Sequence, residues 1–311
     1  MVLSIFNVVY YFFIFIAGCF FGSFFKVVAD RTVNGESIVV GRSKCDKCKK
    51  PLGPLNLIPV ISYIFQKGKC SNCGKHFSIL YPVSEIVTGL LFFSTAYYLD
   101  LFNNFNNYAL LYFAYLLIIV SFYIVMTFSD ISYFIIPDKV VYTAISIAFG
   151  FLTLNFIFDI YELYQGVMTN PLGKYLIQAG FLKEQLWYLL KDYTVLLGTA
   201  FLIGLFFFSL IVITKGKGMG GGDVKLGFLI GLFNGSVSPI YLNLDRGLIF
   251  LLPVLGIFLG FIFGSVFSLF LIALRKKTVK DIIPFGPFLI AGSLVALFFG
   301  DYIINWYFGL M

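Results

Sequence analysis

Two carboxylates occupy costly positions in an apolar chain. Asp130, in "FSDISYFIIPDKV", closes one apolar run, and Asp223, in "TKGKGMGGGDVKLG", opens another after a loop rich in glycine. Ionisable residues at or inside membrane-length runs are expensive to place, so each one is a functional candidate. Two carboxylates sharing a water can hydrolyse a peptide bond: one, ionised, takes a proton from the water while the other, protonated, donates to the carbonyl oxygen. Like charges that close cannot both ionise cheaply, which splits their affinities for protons. Asp138 and Glu85 are further carboxylates near run ends.

The glycines beside Asp223 suit the same chemistry. Gly220, Gly221 and Gly222 lack a Cβ, so the backbone is free to take positive φ and an extended substrate strand can lie against it. Pro137 disfavours helix at Ile136 and predicts a break before the next run. The loop does not fit nucleotide motifs. A P-loop needs Lys and Ser/Thr where Gly222 and Asp223 stand, and the run before the loop is far longer than the strand a dinucleotide fingerprint follows.

A second group of reactive residues is Cys45 and Cys48 in "SKCDKCKKPL" with Cys70 and Cys73 in "GKCSNCGKHF". Two C-x2-C turns predict a closed four-cysteine zinc site of the structural, ribbon-like kind. The neighbouring lysines favour thiolates. His76, three residues past Cys73, is expected to be solvated, and Cys19, inside an apolar run, is expected to pack as a small hydrophobe.

These residues need elements to hold them. The chain has 311 residues, 60% apolar and 12% charged, with a mean hydropathy of +0.95; soluble domains are about 45–50% apolar. It is expected to be an all-α polytopic membrane protein. About eight runs reach spanning length, near 3–25, 83–99, 107–129, 140–158, 193–213, 224–241, 248–274 and 283–304. The first run has no basic leader or cleavage signal, so it is expected to remain as a helix. Its Gly18 and Gly22 form a small-xxx-small pair for close helix packing.

With eight spans, 18 of the 22 Lys and Arg residues fall on one side, which predicts that side as cytoplasmic. Asp130 and Asp223 then both end or open spans at the cytoplasmic level. The net charge of +7 is read as topology and contact with anionic lipid, with no nucleic acid as partner. The expected organisation is a first transmembrane helix (1–28), a cytoplasmic four-cysteine domain (29–82) and a seven-helix core (83–311). Within the core, residues 159–192 are expected as an interfacial amphipathic helix or a re-entrant segment on the outer face.

Five strings in order resemble the bacterial type IV prepilin peptidases, membrane aspartyl proteases of the G-x-G-D class. They are "GCFFGSFFKVVADR" (18–31), the cysteine segment within 42–89, "SDISYFIIPD" (129–138), "GMGGGDVKLG" (218–227) and "IPFGPFLIAG" (283–292). The resemblance implies that Asp130 and Asp223 are the catalytic pair. It further implies cleavage of the basic leader of type IV prepilins or pseudopilins after a glycine, at the cytoplasmic face of the inner membrane. Family members often N-methylate the new terminus with S-adenosylmethionine, and the cysteine domain goes with that bifunctional form. Lys26, Arg31 and Glu85 are candidates for a methylation or leader site.

Other readings are a peptidase without methyltransferase activity, a presenilin-like enzyme, and a proton-coupled transporter using the aspartates. Presenilin-like enzymes pair Tyr with Asp in the first box and carry Pro-Ala-Leu in the last helix, where this chain has "FSD" and "PFGP". A transporter would place its carboxylates near the bilayer midplane on broken helices.

Overall fold

The computed structural model describes residues 2–38, 41–45, 47–216, 218–237, 250–278 and 281–309. Lys217, Arg246, Lys280 and the end of the expected 224–241 span lie outside the described residues. The described chain is helical, with two isolated β-bridges and no named strand. It divides into two compact units, Met1–Val140 and Val141–Met311.

The first unit contains α1 (Val2–Asn34), α2 (Ile61–Phe65), α3 (Leu80–Tyr98) and α4 (Asn107–Tyr133). Helix α1 runs six residues past the expected boundary at 28. It packs chiefly on α3, and the small-residue pair explains how. A Cβ at Gly18 would stand 2.8 Å from Gly89 Cα, and one at Gly22 would stand 2.6 Å from the Ser84 carbonyl oxygen, so only glycine admits this approach. Ser84 Oγ donates to the Gly22 carbonyl at 3.2 Å. Asn106 caps α4 by accepting the Ala109 N–H at 2.8 Å.

The second unit is built from α5 (Asp138–Thr169), whose first turn precedes the unit boundary, α6 (Gly173–Gln178), α7 (Phe181–Ile213), α8 (Gly221–Ser236), α9 (Leu251–Ala273) and α10 (Gly286–Gly309). Helix α8 packs on α7, α9 and α10, and its residues Leu226 to Ser236 are buried except for the half-exposed Phe228. Gly227 and Gly231 lie against α7: a Cβ on either would come within 2.4 Å of the Phe207 ring or 2.5 Å of Ala200 Cα. Helices α9 and α10 meet through Gly256, Gly260 and Gly292 in the same manner.

Six described helices are long and apolar enough to cross a membrane: α1, α4, α5, α7, α9 and α10. The other two expected spans form helices with different properties. Helix α3 is diluted by Ser84, Glu85, Thr88 and Thr95, all buried, and α8 has only 16 residues. The spanning helices turn Phe201, Leu202, Phe258, Val266 and Phe299 outward, the arrangement expected of a multi-pass membrane protein in lipid.

Residues 159–192 differ from the expected single interfacial helix. They comprise the end of α5, the six-residue α6 and the start of α7. Two breaks account for this: Asn170-Pro171 ends α5, and Gly180, at φ 79°, starts α7. Its apolar periodicity belongs to two long helices, of 32 and 33 residues.

Candidate active site and four-cysteine centre

Asp130 lies in the last turn of α4 and is 7% exposed. The helix stops just beyond it because Phe134 takes a left-handed conformation (φ 56°) and returns its N–H to the Asp130 carbonyl at 2.9 Å. Ser129 Oγ donates to the Ile135 carbonyl at 2.9 Å and holds the following segment in place. The break expected at Ile136-Pro137 is present, and α5 opens at Asp138. Asp138 is exposed and sits in the first turn of α5, where a carboxylate suits the helix dipole.

Asp223 is the third residue of α8 and is 9% exposed. Its Oδ2 accepts the N–H of the N-cap residue Gly220 at 3.2 Å. This is the returning half of a capping box; Gly220 has no side chain to supply the other half. The expectation of positive φ at Gly220 to Gly222 is corrected: Gly220 has φ −90°, and the left-handed residues are Lys215 and Gly216, which terminate α7. The three glycines serve as the N-cap and first residues of a helix. Their lack of side chains still leaves open backbone, since a Cβ on Gly221 meets nothing within 4 Å and one on Gly220 meets nothing closer than 4.0 Å.

In the first unit, the polar residues of α1 form a network. Lys26, 3% exposed, pairs with Asp30 at 2.5 Å and lies 5.3 Å from the centre of the Tyr81 ring. Asp30 also accepts from Tyr133 Oη at 3.1 Å and Tyr81 Oη at 3.4 Å. Sequence reading singled out Lys26 and passed over Asp30, Tyr81 and Tyr133. The four-residue spacing of Lys26 and Asp30 was the available signal. Arg31 is spent on structure: its guanidinium donates to the carbonyls of Ser37, Ile38, Gly41 and Arg42 at 3.1–3.4 Å.

Glu85, 6% exposed, accepts the Val60 N–H at 2.6 Å and a hydrogen bond from Ser23. It faces a cavity of about 490 Å³ whose lining includes Asp30, Arg31, Lys44, Tyr63 and Tyr81. That is the size of a small-molecule site, and its lining mixes aromatic faces with both signs of charge.

The two cysteine turns are near copies of each other. Cys45 donates its N–H to Lys50 and accepts that of Lys49; Cys70 donates to Lys75 and accepts from Gly74, all at 2.8–3.0 Å. Lys49 and Gly74, each four residues past its first cysteine, both have positive φ. The four Sγ atoms lie within 4.8 Å of one another, with Cys45 and Cys73 at 4.0 Å. A tetrahedral ion with bonds of about 2.3 Å sets sulfurs about 3.8 Å apart, so the arrangement is compatible with a zinc site. Backbone N–H groups of Asn72 and Cys73 lower the Cys70 thiol to about 7. At Cys73 the Lys75 N–H acts in the same direction, but burial and the other thiols outweigh it and push the group up to about 11. His76 is exposed and stays outside the cluster.

The chain resembles known proteins along most of its length. A family model, the Bacterial Peptidase A24 N-terminal domain, matches residues 16–99. The chain is 28% identical over 298 residues to the prepilin leader peptidase/N-methyltransferase of Bacillus subtilis, covering 94% of this chain and 96% of the relative. Proteins of the same name from Aeromonas salmonicida (29% identity, 87% of this chain, 76% of the relative) and Legionella pneumophila (27%, 88%, 77%) match similarly. No solved structure matches the chain. A buried carboxylate in each unit and a paired-cysteine cluster thus occur in a chain that is similar along nearly its whole length to bacterial prepilin leader peptidase/N-methyltransferases.

Proposed function

We propose that the chain cleaves the leader of type IV prepilins or pseudopilins after a glycine, at the cytoplasmic face of the inner membrane, with Asp130 and Asp223 as the catalytic pair. It then methylates the new amino terminus. The observation that carries the reading is the similarity to prepilin leader peptidase/N-methyltransferases over 94% of the chain, together with two buried aspartates at helix ends.

In this reading one carboxylate removes a proton from water as the hydroxide oxygen bonds to the scissile carbonyl carbon. The other carboxyl gives its proton to the carbonyl oxygen. Collapse of the tetrahedral species breaks the C–N bond, and the leaving amine takes a proton. Open backbone at Gly220 and Gly221, next to Asp223, supports their role in admitting an extended substrate strand, and Gly222 is assigned to the same stretch. A transporter reading has less support, because Asp130 sits in the last turn of one helix and Asp223 in the first turn of another, with neither helix broken at it.

We assign structural zinc binding to residues 29–82, through Cys45, Cys48, Cys70 and Cys73, and proteolysis to the core of residues 83–311. S-adenosylmethionine, when bound, supplies a methyl group from a sulfonium centre. The cavity beside Glu85 fits such a cofactor in volume and lining.

Coexpression with a prepilin tests the assignment. Asp130→Asn and Asp223→Asn should each slow leader removal, followed on a gel, by about a thousandfold. Unchanged processing by either variant refutes the catalytic pair. Absence of a methyl mass increment on pilin matured by the unaltered enzyme refutes the second activity.

A further inference from the structure

Glu85 is an acid buried without a cation. It is 6% exposed, and among the described residues it makes no ion pair. The half-buried acid on the cavity wall is compensated: Asp30 pairs with Lys26. The Glu85 carboxylate receives only neutral donors, the Val60 N–H and the Ser23 hydroxyl. A buried carboxylate without a counter-ion is costly, and one that faces a cavity is a candidate for pairing with a cation carried by a ligand.

The backbone opposite Glu85 is strained to serve it. Val60 has φ 61° and ψ −51°, and the Ile61 N–H bonds to the Pro59 carbonyl at 2.5 Å. This is a three-residue γ-turn of the rare hand, centred on a β-branched residue that disfavours positive φ. The turn aims the Val60 N–H at the Glu85 carboxylate at 2.6 Å. Strain of this kind persists where surrounding structure over-determines it, and it clusters at ligand sites.

We infer that Glu85, held by the Val60 turn, is the counter-ion for the sulfonium of S-adenosylmethionine in the cavity of the first unit. Tyr63 and Tyr81, which line the same cavity, offer aromatic rings to a cation or a purine. This inference rests on the methyltransferase reading and adds the residue that distinguishes the charged cofactor from its neutral product.

Isothermal titration of the full-length protein in detergent tests it, comparing S-adenosylmethionine with S-adenosylhomocysteine, which has the same groups but a neutral thioether. Glu85→Gln should weaken the sulfonium ligand about tenfold or more and the thioether much less. Glu85→Asp, which keeps the charge, should restore part of the preference. An unchanged ratio of the two affinities in Glu85→Gln, with methylation intact in the unaltered protein, overturns the inference alone. So does a variant that loses affinity only for a basic leader peptide. An unaltered protein that neither binds the cofactor nor methylates prepilin takes the methyltransferase reading down with it.

Discussion

The phenol of Tyr133 donates a hydrogen bond to the Asp30 carboxylate at 3.1 Å, across 103 residues of sequence. Tyr133 is the last residue of α4 and stands three positions after Asp130. Asp30, on α1, is in turn neutralised by Lys26 and touched by Tyr81. The end of α4 that carries Asp130 is therefore tied to a polar network on α1 and α3, all within the first unit.

Removing that tie should cost geometry more than fold. Tyr133→Phe keeps the ring and deletes one hydrogen bond to a charged acceptor, a loss of about 1–2 kcal/mol. We expect only a modest fall in melting temperature, but a drop of about tenfold or more in the rate of leader cleavage, because small misplacements of a catalytic group are expensive. Cleavage at the unaltered rate would show that the tie does not position Asp130.

Much of this arrangement was legible in the residues. Apolar run lengths located eight helices to within a few residues at most ends, and the C-x2-C spacing located the cysteine cluster. Gly18 and Gly22 marked a close helix contact, and the structure supplies α3 as the partner. The same spacing recurs in Gly227, Gly231 and Gly235 of α8 and in Gly256, Gly260 and Gly264 of α9, and those contacts were equally readable. Other features were not. The γ-turn at Val60 depends on where Glu85 lies, 25 residues away, and no local preference of valine announces it. Asp30 drew no attention because its partners Tyr81 and Tyr133 come from two other helices.

Packing at the small-residue contact gives a second prediction. Gly22→Ala would put a Cβ 2.6 Å from the Ser84 carbonyl oxygen and 2.7 Å from Glu85 Cα. Neither neighbour is a flexible side-chain tip, so α1 and α3 must separate, at a cost of about 1–3 kcal/mol. Thermal unfolding in detergent should show the loss. Because the shift falls on the Glu85 backbone, cofactor affinity should fall with it; an unshifted melting curve would contradict the packing argument.

Metal removal gives a third. Cys45→Ser, or treatment with a strong chelator, should take zinc content from about one ion per chain to near zero. The segment from Gly41 to Ser78 has little regular structure beyond two short helices and two bridges, so it depends on the cluster for its order. Limited proteolysis should then cut within 41–78 while the long helices resist. A metal-free protein that resists cleavage there would argue against a structural zinc.

The glycines before Asp223 separate fold from function most cleanly. A Cβ at Gly221 meets nothing within 4 Å, and its φ is not positive. Gly221→Ala should therefore leave stability unchanged or raise it by up to about 1 kcal/mol, by restricting the unfolded chain. If the bare backbone admits the substrate strand, the added methyl lies in its path. We expect kcat/KM for leader cleavage to fall about tenfold, mostly through a higher KM, with the melting temperature held or raised. Equal cleavage by the two proteins would mean that Gly220 to Gly222 serve only to start α8, and the substrate-loop role would have to be given up.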